Sequence, residues 1–300
     1  MDLLALKPAA YRHVVFPPSA PAGASPINFA VSAEPAPLSP PAPSLTPIEN
    51  ESFLRWVFER AGLDARDYKS ETLRRRLPAC LRALRAKTLE DARLMIQQQP
   101  RALKTAMGTL MIGVTGFFRD PAIFSALGER FLPEITARGS KARVWSVGCS
   151  DGQELYSVAV LLAEMQALHR CRLLGTDCRS DAVRAAGEGA YDRQSIGGVP
   201  EPLLAKYFTP DGTRWRIHSW LRNLVQWRGG NALAGSEPGS WDMILCRNVS
   251  IYLLGAATLR LWNSLAAALR PGGLLVVGKA ERPLGAAGLS AVAPCVYRRA

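Results

Sequence analysis

The sequence has few of the residues that hold metals or disulfides. Its six cysteines are scattered without a Cys-x-x-Cys pair, and only three of its 300 residues are histidines. This pattern argues against a zinc site and against a disulfide framework, so we expect no bound metal.

Long apolar runs and a targeting segment are also absent from the sequence. No uninterrupted apolar stretch reaches the roughly 18 residues that a membrane-spanning helix needs. The segment from Met1 to Phe16 lacks the basic start, the sustained apolar centre and the small-residue cleavage site of a secretory signal. We therefore expect a cytoplasmic protein without membrane insertion.

Acidic residues are few compared with basic ones. The chain has 25 Asp and Glu residues against 37 Lys and Arg residues, which gives a net charge of +12. Such a charge predicts attraction to an acidic partner, and nucleic acid, anionic lipid and acidic proteins all fit that description. Charge alone does not choose among them.

Composition divides the first part of the chain into three segments. Residues 1–48 hold half of the prolines and predict a disordered tail. Residues 49–111 carry apolar residues at helical spacing and predict a small helical domain, whose second helix, around Lys69–Lys87, is strongly basic and is interrupted at Pro78. Residues 112–121 have no clean period and predict a linker that packs its two aromatic residues into the neighbouring domain.

From residue 122 to the C-terminus, strands alternate with helices, which predicts a mainly parallel sheet covered on both faces. In such a sheet, ligands bind at the carboxyl ends of the strands. The predicted strands are Arg143–Val147, Arg172–Thr176, Asn223–Arg228, Trp241–Leu245 and Leu274–Gly278, with a last antiparallel edge strand within Ala287–Arg299.

The turn after the first of these strands indicates a cofactor site. Gly148 and Gly152 let the backbone turn sharply and approach a ligand closely, but Asp151 and Glu154 beside them would repel the pyrophosphate of a dinucleotide. They suit a cationic cofactor without phosphate, such as S-adenosylmethionine (SAM). Asp177 ends the second strand about 29 residues after Gly148, where a carboxylate can accept both ribose hydroxyls. An ordinary strand-to-helix connection and a capping aspartate are the alternatives.

Over about residues 50–298, the sequence resembles the CheR chemotaxis-receptor methyltransferases. Three motifs in the family's order carry the resemblance: Thr115-Gly-Phe-Phe-Arg-Asp120, Val147-Gly-Cys-Ser-Asp-Gly-Gln-Glu-Leu-Tyr-Ser157 and Cys246-Arg-Asn-Val-Ser-Ile-Tyr252. The resemblance implies an α/β fold, with the small N-terminal helical domain followed by a Rossmann-like SAM methyltransferase domain at residues 122–300. A small β-subdomain would be inserted at about residues 194–227, and the linker would contribute to the cofactor site.

The resemblance also implies roles for individual residues. Glu154 would face the methionine amino group, Asp177 the ribose and Asn231 the adenine. Arg119 and Tyr252 would be catalytic residues, which line the place where the methyl group meets the substrate. The full set of implied cofactor-binding residues is Gly113, Thr115, Arg119, Gly148, Glu154, Asp177, Asn231, Ala232, Arg247 and Asn248.

The activity implied by the resemblance is SAM-dependent methylation of glutamate side chains on chemotaxis receptors. A glutamate has a pKa of about 4.3, so it is already a carboxylate nucleophile at neutral pH and needs no general base. The expected partner is the acidic helical bundle of a receptor's cytoplasmic domain, bound by the basic helix and the β-subdomain of a monomer. No nucleic acid is expected as a partner.

Some positions depart from the family pattern. Gly113 stands where an asparagine is usual, Gln153 and Leu155 flank the retained Glu154, and Lys279 replaces a histidine near the last strand. These departures leave open a non-catalytic signalling module that binds the cofactor or a receptor. A nucleic-acid methyltransferase is less favoured, because the chain lacks an Asp/Asn-Pro-Pro-aromatic turn after its fourth strand.

Overall fold

The first element that the structure describes is a helix with a capped N-terminus. In helix α1 (Pro47–Arg60), the Thr46 hydroxyl accepts a hydrogen bond from the Glu49 amide, and the Glu49 carboxylate accepts one from the Thr46 amide. This capping box starts the helical domain at Pro47, two residues before the predicted boundary. Residues 1–45 of the predicted tail lie outside the described residues. The computed structural model describes residues 46–111, 113, 115–235, 237 and 239–300.

The helical domain packs four helices around an apolar core that includes Phe53, Phe58 and Leu77. After α1 come α2 (Ser70–Leu84), α3 (Leu89–Gln98) and α4 (Pro100–Leu110). The predicted interruption at Pro78 is wrong, because α2 continues through this exposed proline. A proline inside a helix costs about 3 kcal/mol, and the buried face of α2 offsets that cost by packing on the other helices.

The α/β domain contains two sheets. The larger has seven strands in the order β6-β2-β1-β7-β8-β10-β9, in which β10 alone runs antiparallel to its neighbours β8 and β9. The ten described strands are β1 (Ala142–Val147), β2 (Cys171–Asp177), β3 (Ala190–Asp192), β4 (Phe208–Asp211), β5 (Arg214–Ile217), β6 (Val225–Gly229), β7 (Trp241–Cys246), β8 (Leu269–Val277), β9 (Leu289–Ala293) and β10 (Val296–Arg299).

Helices cover both faces of the larger sheet, as the alternation of strands and helices predicts. The predicted α/β fold class is therefore confirmed. One difference is that the C-terminal segment forms two antiparallel strands instead of one, because the chain reverses between β9 and β10. The remaining helices are α5 (Pro121–Ala126), α6 (Leu132–Thr136), α7 (Gln153–Glu164), α8 (Ser180–Glu188), α9 (Glu201–Tyr207), α10 (Ser219–Arg222) and α11 (Gly255–Ala268).

The smaller sheet is antiparallel, with the strand order β3-β5-β4. Its strands lie between Ala190 and Ile217, whereas the sequence placed the β-subdomain at about residues 194–227. The chain enters this sheet directly after α8, so β3 precedes the predicted start. It leaves at Ile217, and β6 pairs parallel with β2 in the larger sheet.

The helical domain lies at the carboxyl ends of the central strands. The Lys69 amide donates to the Tyr252 carbonyl (2.9 Å), and the Leu254 amide donates to the Asp67 carbonyl (2.8 Å). These bonds hold the start of α2 against the loop that follows β7. None of the described helices is long and apolar enough to cross a bilayer.

Candidate functional site

Two adjoining cavities open at the carboxyl ends of β1, β2 and β7. Parallel α/β sheets bind their ligands at this edge, outside the carboxyl ends of the strands. We call the first the apolar cavity, because side chains such as Tyr68, Leu110 and Leu253 form its wall. The second, the polar cavity, is lined by Arg119, Glu154 and Arg247 among others.

All eleven residues that the sequence assigns to the site line these two cavities. Asp177, Asn231 and Ala232 line the apolar cavity. Thr115, Arg119, Glu154 and Arg247 line the polar cavity. Gly113, Gly148, Asn248 and Tyr252 line both, so they mark the place where the two cavities meet.

Buried Arg247 joins three segments around the polar cavity. Its guanidinium donates to Glu154 Oε2 (3.2 Å), to Asp120 Oδ2 (2.7 Å) and to the Arg119 carbonyl (2.8 Å), and it lies over the Phe124 ring. Only 2% of the Arg247 side chain is exposed. Because a buried guanidinium is stable only with such partners, Arg247 fixes the linker and the first turn of α7 relative to β7.

Glu154 is a mostly buried carboxylate of the polar cavity, with 13% of its side chain exposed. Its Oε1 accepts from the Ser146 hydroxyl (2.8 Å), and its Oε2 pairs with Arg247. Burial raises the pKa of the Glu154 carboxyl above its ordinary value, and these two partners oppose the rise. The nearby thiols are inert at neutral pH, since burial raises the pKa of Cys178 to about 12.

The linker enters the site under backbone strain. Phe117 packs edge-on against Tyr191 and Phe208, and the Phe118 amide donates to the Ser157 hydroxyl (2.9 Å). Seven non-glycine residues among those described have positive φ, a conformation that is uncommon for residues with a side chain and that clusters at functional sites. Four of them flank the cavities: Phe118, Asp120, Ser150 and Asn248.

Two basic residues of the helical domain, Arg76 and Lys69, contact Tyr252 or the loop that carries it. The Arg76 guanidinium lies 5.0 Å from the centre of the Tyr252 ring, and Arg76 Nη1 donates to the Leu110 carbonyl (2.9 Å). Lys69 Nζ donates to the Ile251 carbonyl (2.8 Å). Sequence analysis grouped Arg76 and Lys69 with the basic face of α2, but these contacts attach both residues to the loop that carries Tyr252.

Glu281 is a supporting residue that sequence reasoning missed. This buried carboxylate accepts from the amides of Asn248, Val249, Ser250 and Gly278 and from the Ser250 hydroxyl, at 2.6 to 3.0 Å. It therefore ties the loop after β7 to the end of β8. The sequence offers one indication of this role: Glu281 keeps the acid of the family pattern, although Lys279, two positions before it, departs from that pattern.

The residues of the two cavities fit SAM. The apolar cavity suits an adenine ring, and Asp177 suits the ribose. In the polar cavity, Glu154 suits a cationic amino group, and the buried Arg247 Nε, which has no hydrogen-bond partner among the described residues, suits a carboxylate. Gly148 has a φ of +65°, and a Cβ there would lie 2.6 Å from Val249 Cγ2, so the turn requires glycine.

In sequence, the chain is similar to known methyltransferases. The family described as CheR methyltransferase, SAM binding domain, matches residues 113–292, and the one described as CheR methyltransferase, all-alpha domain, matches residues 48–111. The chemotaxis protein methyltransferase of Vibrio anguillarum is 30% identical over 243 residues, which are 78% of this chain and 88% of that protein. Chemotaxis protein methyltransferase 1 of Pseudomonas aeruginosa is 29% identical, over 77% of this chain and 89% of that protein. A probable biofilm formation methyltransferase, WspC, of Pseudomonas putida is 30% identical, over 80% of this chain and 60% of that protein.

Proposed function

Because the chain belongs to the CheR methyltransferase family, we propose that it methylates glutamate side chains on the cytoplasmic domain of a chemotaxis receptor. SAM is the methyl donor, and the product is a γ-methyl ester. The polar cavity supports the proposal, since Arg119, Glu154 and Tyr252 all line it and Tyr252 also lines the apolar cavity.

The proposed chemistry needs positioning more than proton transfer. When bound, SAM supplies an electrophilic methyl group on a cationic sulfur. Arg119 holds the incoming substrate carboxylate and Tyr252 orients it. Burial of Glu154 and Arg247 keeps the cavity walls fixed, so that alignment supplies most of the rate. A glutamate substrate is already ionised at neutral pH and needs no general base. The reaction is therefore compatible with thiols around the cavities that stay protonated.

The exposed basic residues of α2 and its flanks suit an acidic receptor helix. On this surface the structure describes a single acid, Glu71, whose carboxylate lies 3.9 Å from Arg75. Arg76 is turned toward Tyr252 instead. The exposed basic residues are Lys69, Arg74, Arg75, Arg82, Arg85 and Lys87. Exposed charges of this kind attract an opposite surface and raise the association rate in a salt-dependent way.

One experiment tests the proposed function. The purified protein is incubated with SAM labelled in its methyl group, together with receptor cytoplasmic domains or with nucleic acid. We expect label on the receptor that mild base releases as methanol, which marks a carboxyl ester. Label on nucleic acid, base-stable label, or SAM binding without any transfer would each reject the proposal.

Acidification should weaken SAM binding through Glu154. The cationic amino group needs the ionised carboxylate, and the pKa of Glu154 is raised, so protonation begins at a higher pH than for an ordinary glutamate. Affinity should therefore fall as the pH drops toward and through that raised pKa. Glu154→Gln should bind about 10- to 100-fold more weakly at neutral pH, and its affinity should lose this pH dependence. Calorimetric titrations across the acidic range check both effects, and a wild-type affinity that does not change with pH would argue against this role for Glu154.

Charge reversal on α2 should weaken receptor binding only. Arg82→Glu should raise the KM for the receptor several-fold at low salt, and added salt should reduce the difference. The KM for SAM should not change, because Arg82 lies outside both cavities. Arg172→Glu is the matched control. Arg172 is exposed at the amino end of β2, whereas the helical domain lies at the carboxyl ends of the strands. Equal effects of the two substitutions would contradict docking on α2.

A further inference from the structure

A closed cluster of hydrogen bonds surrounds Asp177. The Asp177 Oδ1 atom accepts from the Arg179 amide (2.9 Å) and from Arg179 Nε (3.2 Å), and Oδ2 accepts from the Ser150 amide (2.9 Å). Arg179 Nη2 donates in turn to the Ser150 hydroxyl (2.9 Å). The guanidinium thus links the ribose-side carboxylate to the turn that follows β1.

Burial makes this cluster rigid. Only 10% of the Arg179 side chain and 7% of the Asp177 side chain are exposed. Such a pair is stable when hydrogen bonds satisfy its polar atoms, and removing one partner leaves an uncompensated buried charge. Ser150 has a φ of +51°, so the turn adopts a conformation that side chains rarely take and that needs support from neighbours.

Because Gly113 has no side chain, Arg179 and Ser150 can occupy the space beside its Cα. A Cβ at position 113 would lie 2.7 Å from Ser150 Oγ and 3.0 Å from Arg179 Nη2. Both separations are shorter than a normal contact, so a side chain here would push the Arg179–Ser150 pair apart. Gly113 and Arg179 also line the apolar cavity, as Ser150 and Asp177 do. A change at position 113 therefore reaches the Asp177 carboxylate through Arg179.

We infer that Arg179 is a positioning residue for the cofactor, which orients Asp177 toward the ribose and fills, with Ser150, the space beside Gly113. This inference rests on the proposed function only in taking SAM as the ligand. Sequence analysis assigned roles to Gly113 and Asp177 but none to Arg179 or Ser150. A Cβ at position 113 would meet both Ser150 and Arg179, so positions 113 and 179 should be interdependent, and this coupling should be measurable in SAM affinity.

The test is a double-mutant cycle on SAM affinity, measured by calorimetry on the full chain. Gly113→Ala should weaken binding about tenfold, and so should Arg179→Ala. The double variant should bind no more weakly than Arg179→Ala alone, because the Ser150 hydroxyl, no longer held by Arg179 Nη2, can then turn away from the added methyl group. Gly108→Ala is the control, since its Cβ meets only Asp181 Oδ2 at an ordinary 3.7 Å, and its affinity should equal that of the wild type.

Additive effects in the double variant, or unchanged affinity in Arg179→Ala, would overturn the inference. If Arg179→Ala does not fold, Ser150→Ala replaces it, because this substitution removes the hydroxyl that the Cβ at position 113 would meet. Steady-state kinetics give a second measure, in which the KM for SAM rises while the KM for the receptor stays constant. Because calorimetry needs no receptor, tight SAM binding without methyl transfer would reject the proposed function and leave the role of Arg179 standing.

Discussion

Replacing Arg119 with alanine should abolish methyl transfer while leaving the fold intact. Arg119 lines the polar cavity, where its side chain would hold the substrate carboxylate in line with the methyl group. Loss of a group that aligns reactants or stabilises charge typically costs on the order of 100- to 1,000-fold in rate. The fold should survive, because it is the Arg119 carbonyl, which alanine keeps, that accepts the bond from Arg247.

Single-turnover methyl transfer to a receptor cytoplasmic domain measures this loss, and thermal melting checks the fold. Arg119→Lys should retain part of the rate, because a lysine keeps the charge without the two-pronged geometry of the guanidinium. Arg101→Ala is the matched control for loss of an exposed arginine outside both cavities. If Arg119→Ala transferred methyl groups at the wild-type rate, Arg119 would have no catalytic role and the assignment of the polar cavity would be wrong.

Replacing Glu281 with alanine should strongly destabilise the α/β domain. The substitution leaves three buried donors, the amides of Ser250 and Gly278 and the Ser250 hydroxyl, and two partly buried amides without their shared acceptor. Each unpaired buried donor costs about 1–3 kcal/mol, so a loss of at least about 3 kcal/mol in the free energy of unfolding is expected. Asn248 and Tyr252 lie on the released loop, so SAM affinity should fall as well.

Urea unfolding followed by circular dichroism measures the stability change in Glu281→Ala. Glu281→Gln keeps the shape and one acceptor oxygen, so its loss should be smaller than that of alanine. Glu59→Ala provides the control, since Glu59 is an exposed residue of α1 and such changes usually stay within about 0.5 kcal/mol. A Glu281→Ala protein as stable as this control would refute the supporting role of Glu281.

The strands and the central turn could be predicted from sequence, because their signals are local. The apolar run that ends at Gly148 and the acid at Asp177 mark two adjacent parallel strands, and parallel strands bring their carboxyl ends to one edge. Local signals failed at Pro78, where packing of the buried face of α2 overrides a helix breaker. The strand predicted at Asn223–Arg228 is confirmed as β6 of the larger sheet, whereas the β-subdomain implied by the resemblance extended into it, to residue 227.

Contacts between distant segments could not be predicted from sequence. Arg76 reaches Tyr252 from another domain, and Glu281 gathers amides from residues more than 30 positions away. Arg179 lies in no recognisable motif, and only the fold brings it and Ser150 next to Gly113. Such positions are defined by three-dimensional packing, which a one-dimensional pattern does not encode.

The position of the transferred methyl group distinguishes glutamate methylation of a receptor from the alternative activities. A receptor cytoplasmic domain is incubated with the full-length protein and SAM, digested at mildly acidic pH to preserve esters, and sequenced by tandem mass spectrometry. We predict a methyl ester on glutamate side chains of the receptor's helices, which disappears after mild base treatment and does not form with Arg119→Ala. Methyl groups found only on nitrogen atoms or on nucleic acid, or no transfer by a protein that binds SAM, would contradict the account.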